Sequence, residues 1–514
     1  MSQATESRVK KTLLNARVNL IFYFLTLVLS FFSRKIFLNC LGADFVGLSG
    51  TLANILGFLS LAEMGVGTAV SYHLYKPIQA GNKEKINELV SVFGYLYRKI
   101  GTFVGLGAVL ISLFIPLIFK NAGFDYGLIY FAFYAILASS LFGYFINYRQ
   151  ILLSADQKGY VVTAYLQGST SVKTLLQIAV AYYWNNYYLW ILLEVIFGII
   201  SCIILNWRIK KTYPWLHATA SIGKQAFPEH KSIVTYTKQI FVHKIKDFLL
   251  TQSDQILVFA FVSLKMVAYY GNYTLITTKL TQLVTTFMGS VWAGVGNLVA
   301  EGNKKKTLQV FWEIQSVYYL IAGLLVFSVY HFINPFICLW LGEEYLLEEI
   351  ILVLLLVNVF IMLIRSSVDM FNSAYGHYAD TWAAWAEGIT NIAVTLLLAP
   401  SMGIAGILWG KIVSLLLFVV LWKPYYLFHS GFQLSIKIYW LNIIKYCGIF
   451  IVSFYLGHVI YLLIPIDSSS SFILWFEKVI FSLLPFILIF YGGMYLFGSG
   501  TKDITNRFLI KLRK

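Results

Sequence analysis

Residues 58–85 read FLSLAEMGVGTAVSYHLYKPIQAGNKEK, an apolar run that carries one acid, Glu63, before a basic loop opens at Lys76. At 1.5 Å per residue, Glu63 lies about 20 Å along a helix from Lys76, at mid-membrane depth rather than at an interface. Gly65 and Gly67 let another helix come close on the next turn. A carboxylate there is either a lock between helices or a group whose protonation changes during a working cycle. The loop that ends the stretch decides the architecture. A shift of 221 residues lays AGNKEK (80–85) on EGNKKK (301–306) and VGLSG (46–50) on VAYYG (267–271) with no gap. Arg17 then falls on Lys238, and at a shift of 220 YLQGST (165–170) falls on WAEGIT (385–390). These matches predict two copies of one unit in the same orientation. A parallel repeat about an axis along the membrane normal is a transporter architecture, with a binding site between the lobes.

The 514 residues are 59% hydrophobic and only 12% charged, with mean hydropathy +0.74, whereas soluble domains carry about 25% charged residues. The fold class expected is an all-α polytopic membrane protein, and the length allows about 12 to 16 spans. Hydropathy windows place fourteen, at 16–38, 46–75, 89–119, 127–148, 160–183, 187–207, 239–262, 267–299, 308–333, 349–375, 381–400, 404–423, 441–465 and 476–498. The expected organisation is a first lobe at 1–207, a linker at 208–238 with Pro214 and Pro228, a second lobe at 239–423, and two further helices with a basic tail at 424–514. The first apolar run is too long for a signal segment and is read as an uncleaved span.

Loops on the N-terminal side hold 25 of the 39 Lys and Arg, whereas the opposite loops hold five, together with the acidic GEEYLLEE at 342–349. Both termini are therefore expected in the cytoplasm. The net charge of +16 is spread over many loops, which reads as topology and attraction to anionic lipid rather than nucleic-acid binding. Cys40, Cys202, Cys338 and Cys447 are isolated and suggest neither a disulfide framework nor a metal site. There is no G-x-x-x-x-G-K-[ST], no H-E-x-x-H, no G-x-S-x-G and no large extramembrane domain. Neither an enzyme nor a cofactor is expected, and H⁺ or Na⁺ is left as a coupling ion.

A charge at a helix centre costs on the order of 3 kcal/mol even on insertion scales, so charges inside spans face a wet cavity or a partner. The tenth span puts Asn358, Arg365, Asp369 and Asn372 on one face, and Arg365 can pair with Asp369 at i, i+4. The eighth repeats the pattern with Asn272, Lys279, Gln282 and Thr286, and the fifth with Ser169, Lys173 and Gln177; Lys411 lies in the twelfth. These cations have few acids nearby in sequence, which predicts a cationic cavity lined by Lys173, Lys279, Arg365 and Lys411. The acids in spans are Glu63, Glu194, Asp247, Asp254 and Glu387. His243, Asp247, Thr251 and Asp254 share a face, as a proton relay or a packing cluster. Glu63, Asp254, Asp369 and Glu387 are the coupling or gating candidates.

Four stretches, LGADFVGLSG, LSLAEMGVGTAVSYHLYKPIQAGNKEKI, SDQILVFAFVSLKMVAYYGNYTLI and EGITNIAVTLLLAPSMGIAGILWGKIVS, resemble the Wzx-type polysaccharide flippases of the multidrug/oligosaccharidyl-lipid/polysaccharide exporter superfamily. The resemblance implies movement of undecaprenyl-diphosphate-linked oligosaccharide across the bacterial plasma membrane, through a cavity between two six-helix lobes. It also implies Glu63 as the acid of the LAE segment and Asp254 as the acid opening a D-x-I-I-x-x-F segment. Lys411 departs from the small polar residue usual there. Trp292, Trp382, Trp385 and Trp409 would offer stacking faces to sugars, and a polymerase and glycosyltransferases are the implied partners. Two alternatives remain: a cation-coupled multidrug exporter, expected to have an acid-lined cavity, and a non-transporting partner of a polysaccharide assembly complex.

The loop charges predict that a cysteine placed at 226 is labelled only from the cytoplasm and one at 344 only from outside. Labelling of position 226 in intact cells by a membrane-impermeant reagent would reverse the topology.

Overall fold

The computed structural model describes residues 2–60, 66–120, 122–230, 233, 237, 253–377 and 380–512, which are helical with short connections and contain no strand. Two compact units divide the chain, Met1–Ala268 and Tyr269–Lys514. The first holds α1 (Ser2–Leu41), α2 (Ala43–Leu59), α3 (Val66–Ala80), α4 (Lys83–Ser112), α5 (Tyr126–Phe145), α6 (Gln150–Ala155), α7 (Gly159–Trp184), α8 (Tyr187–Thr212), α9 (Ala220–Ala226) and α10 (Ser253–Phe261). It ends in the first turn of α11 (Leu264–Ala300). The second continues with α12 (Lys304–Trp340), α13 (Glu349–Ile364), α14 (Ser366–Ala374), α15 (Thr381–Met402), α16 (Ile404–Ser414), α17 (Ile436–Leu463), α18 (Phe472–Phe497) and α19 (Ser499–Leu512). Residues 253–268, given to the second lobe by the sequence reading, pack with the first unit. There Asn54 on α2 donates to Gln255 Oε1 at 2.7 Å.

Among the described residues nine helices are long and apolar enough to cross a bilayer, and ten if the two parts of α11, bent by 44°, form one span. The expected spans 89–119 and 160–183 fall mostly within α4 and α7, whose Arg98, Lys99, Lys173 and Gln177 lower their hydropathy. The expected span 46–75 covers α2 and α3 on either side of residues 61–65, and that at 239–262 lies largely outside the described residues. Phe103, Leu106, Leu110, Leu113 and Leu117 are all more than 60% exposed, an apolar surface that water would not tolerate and that lipid covers. The chain is a polytopic membrane protein.

The repeat is visible in backbone detail. Gly81 and Gly302 both turn the chain at positive φ, +65° and +73°. Asn82 and Asn303 then cap the next helix, accepting from the backbone N–H of Lys85 and Lys306 at 3.0 and 3.1 Å, which satisfies amides that a helix start leaves unpaired. The fourth span breaks between α5 and α6, and the tenth breaks at Arg365 between α13 and α14. The α7–α8 hairpin turns on Asn185 (φ 46°) and the α15–α16 hairpin on Gly403 (φ 56°). Each unit packs its core near the ends that carry the basic loops: Val70, Leu74, Phe93, Leu152 and Ile209 in the first, Phe311, Phe371, Phe428, Tyr446 and Phe490 in the second.

Helices α15 and α16 approach closely because Gly406 and Gly410 form a small-xxx-small stripe. A Cβ on Gly406 would lie 2.6 Å from the Ala399 nitrogen, and one on Gly410 would lie 2.8 Å from the Asn391 carbonyl and overlap Thr395. Gly406→Leu and Gly410→Leu should therefore reduce the yield of monodisperse protein, whereas Gly448→Leu, with open space around it, should not. Equal size-exclusion profiles for all three would contradict this packing.

Candidate functional site

Arg365 sits at the junction of α13 and α14, where the helix is interrupted. Its Nε donates to Asp369 Oδ2 at 2.7 Å, and Nη1 lies 3.8 Å from Glu387 Oε1 on α15. The side chain of Glu387 is only 2% exposed, against 12% for Arg365 and 24% for Asp369. The i, i+4 pair is thus formed, and a second acid from another helix joins it. The expected polar face of the tenth span does not act as one surface. Asn358 donates to the Leu354 and Leu408 carbonyls, and Asn372 donates to the Lys423 carbonyl and meets His377 through its own oxygen. Asn358 ties α13 to α16 within both helices, and Asn372 ties α14 to the backbone at Lys423.

In the first unit Lys173 on α7 donates to Glu194 Oε2 on α8 at 2.6 Å, and Gln177 donates to Glu194 Oε1 at 2.9 Å. The expectation that the cations lack acids is corrected for these two: Lys173 has Glu194, and Arg365 has two carboxylates. Hairpin symmetry was the available signal. Gln177 is eight residues before Asn185 and Glu194 eight after Asn186, so a tight turn there puts them opposite each other, with Lys173 one turn deeper.

Lys279 on α11 and Lys411 on α16 are half-buried. Asp254 is buried in the first turn of α10, where a carboxylate complements the helix dipole. Glu63, His243, Asp247 and Thr251 lie outside the described residues. Trp292, Trp382, Trp385 and Trp409 are 37–52% exposed, and Trp382 packs edge-on with Phe418 and Trp422. The sequence reading missed Asp380, buried at the end of the loop before α15: its Oδ2 accepts from Lys423 Nζ at 2.6 Å and from Trp422 Nε1 at 3.2 Å. Burial lowers the pKa of the adjacent His377 despite the nearby Asp380 carboxylate. Lys423 and Trp422 adjoin π-helical turns, Leu415–Trp422 and Leu427–Phe432, a geometry that often accompanies function.

What the Arg365 cluster can do is hold one cation between two acids, or release it to an anion and keep a proton in exchange. Removing one partner of a buried pair costs roughly 3–5 kcal/mol because the other charge is stranded. Arg365→Ala should lower the Tm of the purified protein, and Arg365→Ala/Glu387→Gln should recover part of the loss. Equal Tm values for the single and double variants would separate Glu387 from Arg365.

No protein-family model and no curated protein matches the chain. Solved structures do match. The lipid II flippase MurJ in an inward closed conformation superposes with a TM-score of 0.65 at 16% identity, over 92% of this chain and 98% of that one. An inward-facing multidrug resistance MATE family transporter of the MOP superfamily gives 0.60 at 14%, over 81% of this chain and 99% of the other. A point mutant of the Vibrio cholerae MATE transporter VcmN gives 0.52 at 18%, over 84% and 99%. The chain therefore has the polytopic helical fold that these flippase and multidrug-transporter structures share.

Proposed function

We propose that the chain is a flippase that moves an undecaprenyl-diphosphate-linked oligosaccharide from the cytoplasmic to the outer leaflet of a bacterial plasma membrane by alternating access, with both termini in the cytoplasm. The observation that carries this reading is a cavity of about 530 Å³ in the second unit, lined by Val326 and Tyr330 of α12, Leu356 and Phe360 of α13, and Phe450 and Phe454 of α17. Its walls are almost wholly apolar and its mouth is open, which suits a long hydrocarbon chain. The α17–α18 hairpin that completes it adds two helices to the twelve of the repeat, and the flippase match covers more of the chain than the MATE match, 92% against 81%.

In this reading Lys279, Arg365 and Lys411 hold the diphosphate and Lys173 contributes from the first unit. Arg365 and Lys173 do so by exchanging a carboxylate for a phosphate oxygen. Asp369 and Glu387, freed in that exchange, take up H⁺ or Na⁺; Asp254 and Glu63 are the remaining coupling candidates. The exposed rings of Trp382, Trp385 and Trp409 suit stacking against sugar rings. A polymerase and glycosyltransferases would act on either side of the step. One observation favours the second reading, a cation-coupled multidrug exporter: the Arg365 cluster has two acids to one base, and acids are what a cationic substrate requires.

The test measures surface glycan and the cytoplasmic-leaflet lipid-linked precursor in a strain that depends on this protein. Lys173, Lys279, Arg365 and Lys411 all changed to Ala should leave protein in the membrane, reduce surface glycan and raise the precursor. Full export by that variant would refute the diphosphate role. Drug efflux without any effect on glycan would favour the exporter.

A further inference from the structure

Each unit is closed by a short helix after a transmembrane span, and the two closures make the same glycine contact at the same place in the repeat. In the first, Gly223 of α9 lies so close to α4 that a Cβ would overlap the Ser91 carbonyl and sit 2.7 Å from the Val92 nitrogen. In the second, Gly500 of α19 lies on α12 so that a Cβ would overlap the Trp312 carbonyl and sit 2.9 Å from the Glu313 nitrogen. Ser91 and Trp312 are 221 residues apart, the spacing of the repeat. Seven residues after each glycine a basic side chain reaches back to an acid on the same long helix. His230 Nε2 is 2.5 Å from Glu88 Oε1, and Arg507 Nη2 is 2.8 Å from Glu313 Oε1. Burial opposes the Glu88 charge, but hydrogen bonds from Lys85 and His230 hold its pKa below the ordinary value.

The two glycines are 277 residues apart, which exceeds the repeat by 56. That excess is close to the two helices of the α17–α18 hairpin, 28 and 26 residues long, which with their connection run from Ile436 to Phe497. The hairpin stands between the sixth span of the second repeat and the helix that closes it.

We infer that α19 is the second unit's copy of the linker helix and works as a clasp: it folds back past the inserted hairpin onto α12 and sets the width of the apolar cavity between α12, α13 and α17. Three contacts bind it to the elements it would hold. Gly500 and Arg507 engage α12. The Tyr446 ring of α17 packs at the start of α19, 3.2 Å from where a Cβ on the preceding Gly498 would sit. The Tyr491 and Thr505 hydroxyls join α18 to α19 at 2.8 Å. Tyr446, Phe450 and Phe454 follow one another at four-residue spacing, so the helix face that touches the clasp continues into the cavity wall. The clasp rests on the cavity geometry and holds whichever substrate the protein carries.

The test uses full-length protein without native cysteines, with a solvatochromic dye on a cysteine at Ile451, which lines the cavity. Arg507→Glu and Glu313→Arg should each red-shift the dye emission and lower the Tm, Arg507→Lys should do neither, and the charge-swapped double variant should restore both values. Gly500→Leu should behave like the single reversals. If the single reversals yield no folded protein, a disulfide between cysteines at 313 and 507 should form readily and leave the dye spectrum unchanged. Unaltered emission in Arg507→Glu, no restoration by the swap, or no disulfide would overturn the clasp. So would an equal red shift from Glu88→Gln in the first unit, since the dye would then report general loosening.

Discussion

A charged side chain inside a bilayer has no bulk water to turn to, so it must meet a counter-charge, a polar cavity or its own reach to the interface. That constraint organises two polar clusters of this protein. Lys173 is drawn to Glu194 across the α7–α8 hairpin, with Gln177 filling the other carboxylate oxygen. Arg365 lies between Asp369 on its own span and Glu387 on α15. The Lys173–Glu194 and Arg365–Glu387 pairs cross between helices, so satisfying the charge also settles how those helices are rotated against each other. The helix break at Arg365 belongs to the same solution. Around it Asn358 and Asn372 bond to backbone carbonyls of other segments.

Close backbone approach is the second constraint. With lipid as apolar as the side chains, helices gain little from hiding apolar surface from one another, and association depends on tight contact. Glycines supply it at Gly47 against Leu264, at Gly406 and Gly410 between α15 and α16, and at Gly223 and Gly500 where the closing helices meet α4 and α12. The last two contacts fall at the same place in each repeat although their sequences, SIGKQ and GSGTK, share almost nothing. What persists is the absence of a Cβ where two backbones touch.

For function, the pairing of charges changes the argument more than the number of charges does. A cavity of unpaired lysines would simply attract an anion. In the proposed function, an anion that displaces a carboxylate from Arg365 would tie substrate binding to a change in protonation or ion occupancy. In that proposal the linkage would bias alternating access, because a ligand shifts an equilibrium only by its differential affinity for the two states.

The membrane class, most helix positions, the repeat and the loop charge bias were legible in the sequence, because each depends on local composition or on spacing along one helix. The i, i+4 relation of Arg365 and Asp369 and the paired turns at Gly81 and Gly302 belong with them. The partner of Lys173, the arrival of Glu387 at Arg365, the pairing of Asp380 with Lys423 and the docking of α19 on α12 were decided only by tertiary structure. A helical wheel tells which residues share a face but not which face of which helix they meet. The contacts of α19 join residues nearly two hundred positions apart, with a helical hairpin between them. No local pattern encodes that distance; the packing of helices around one glycine does.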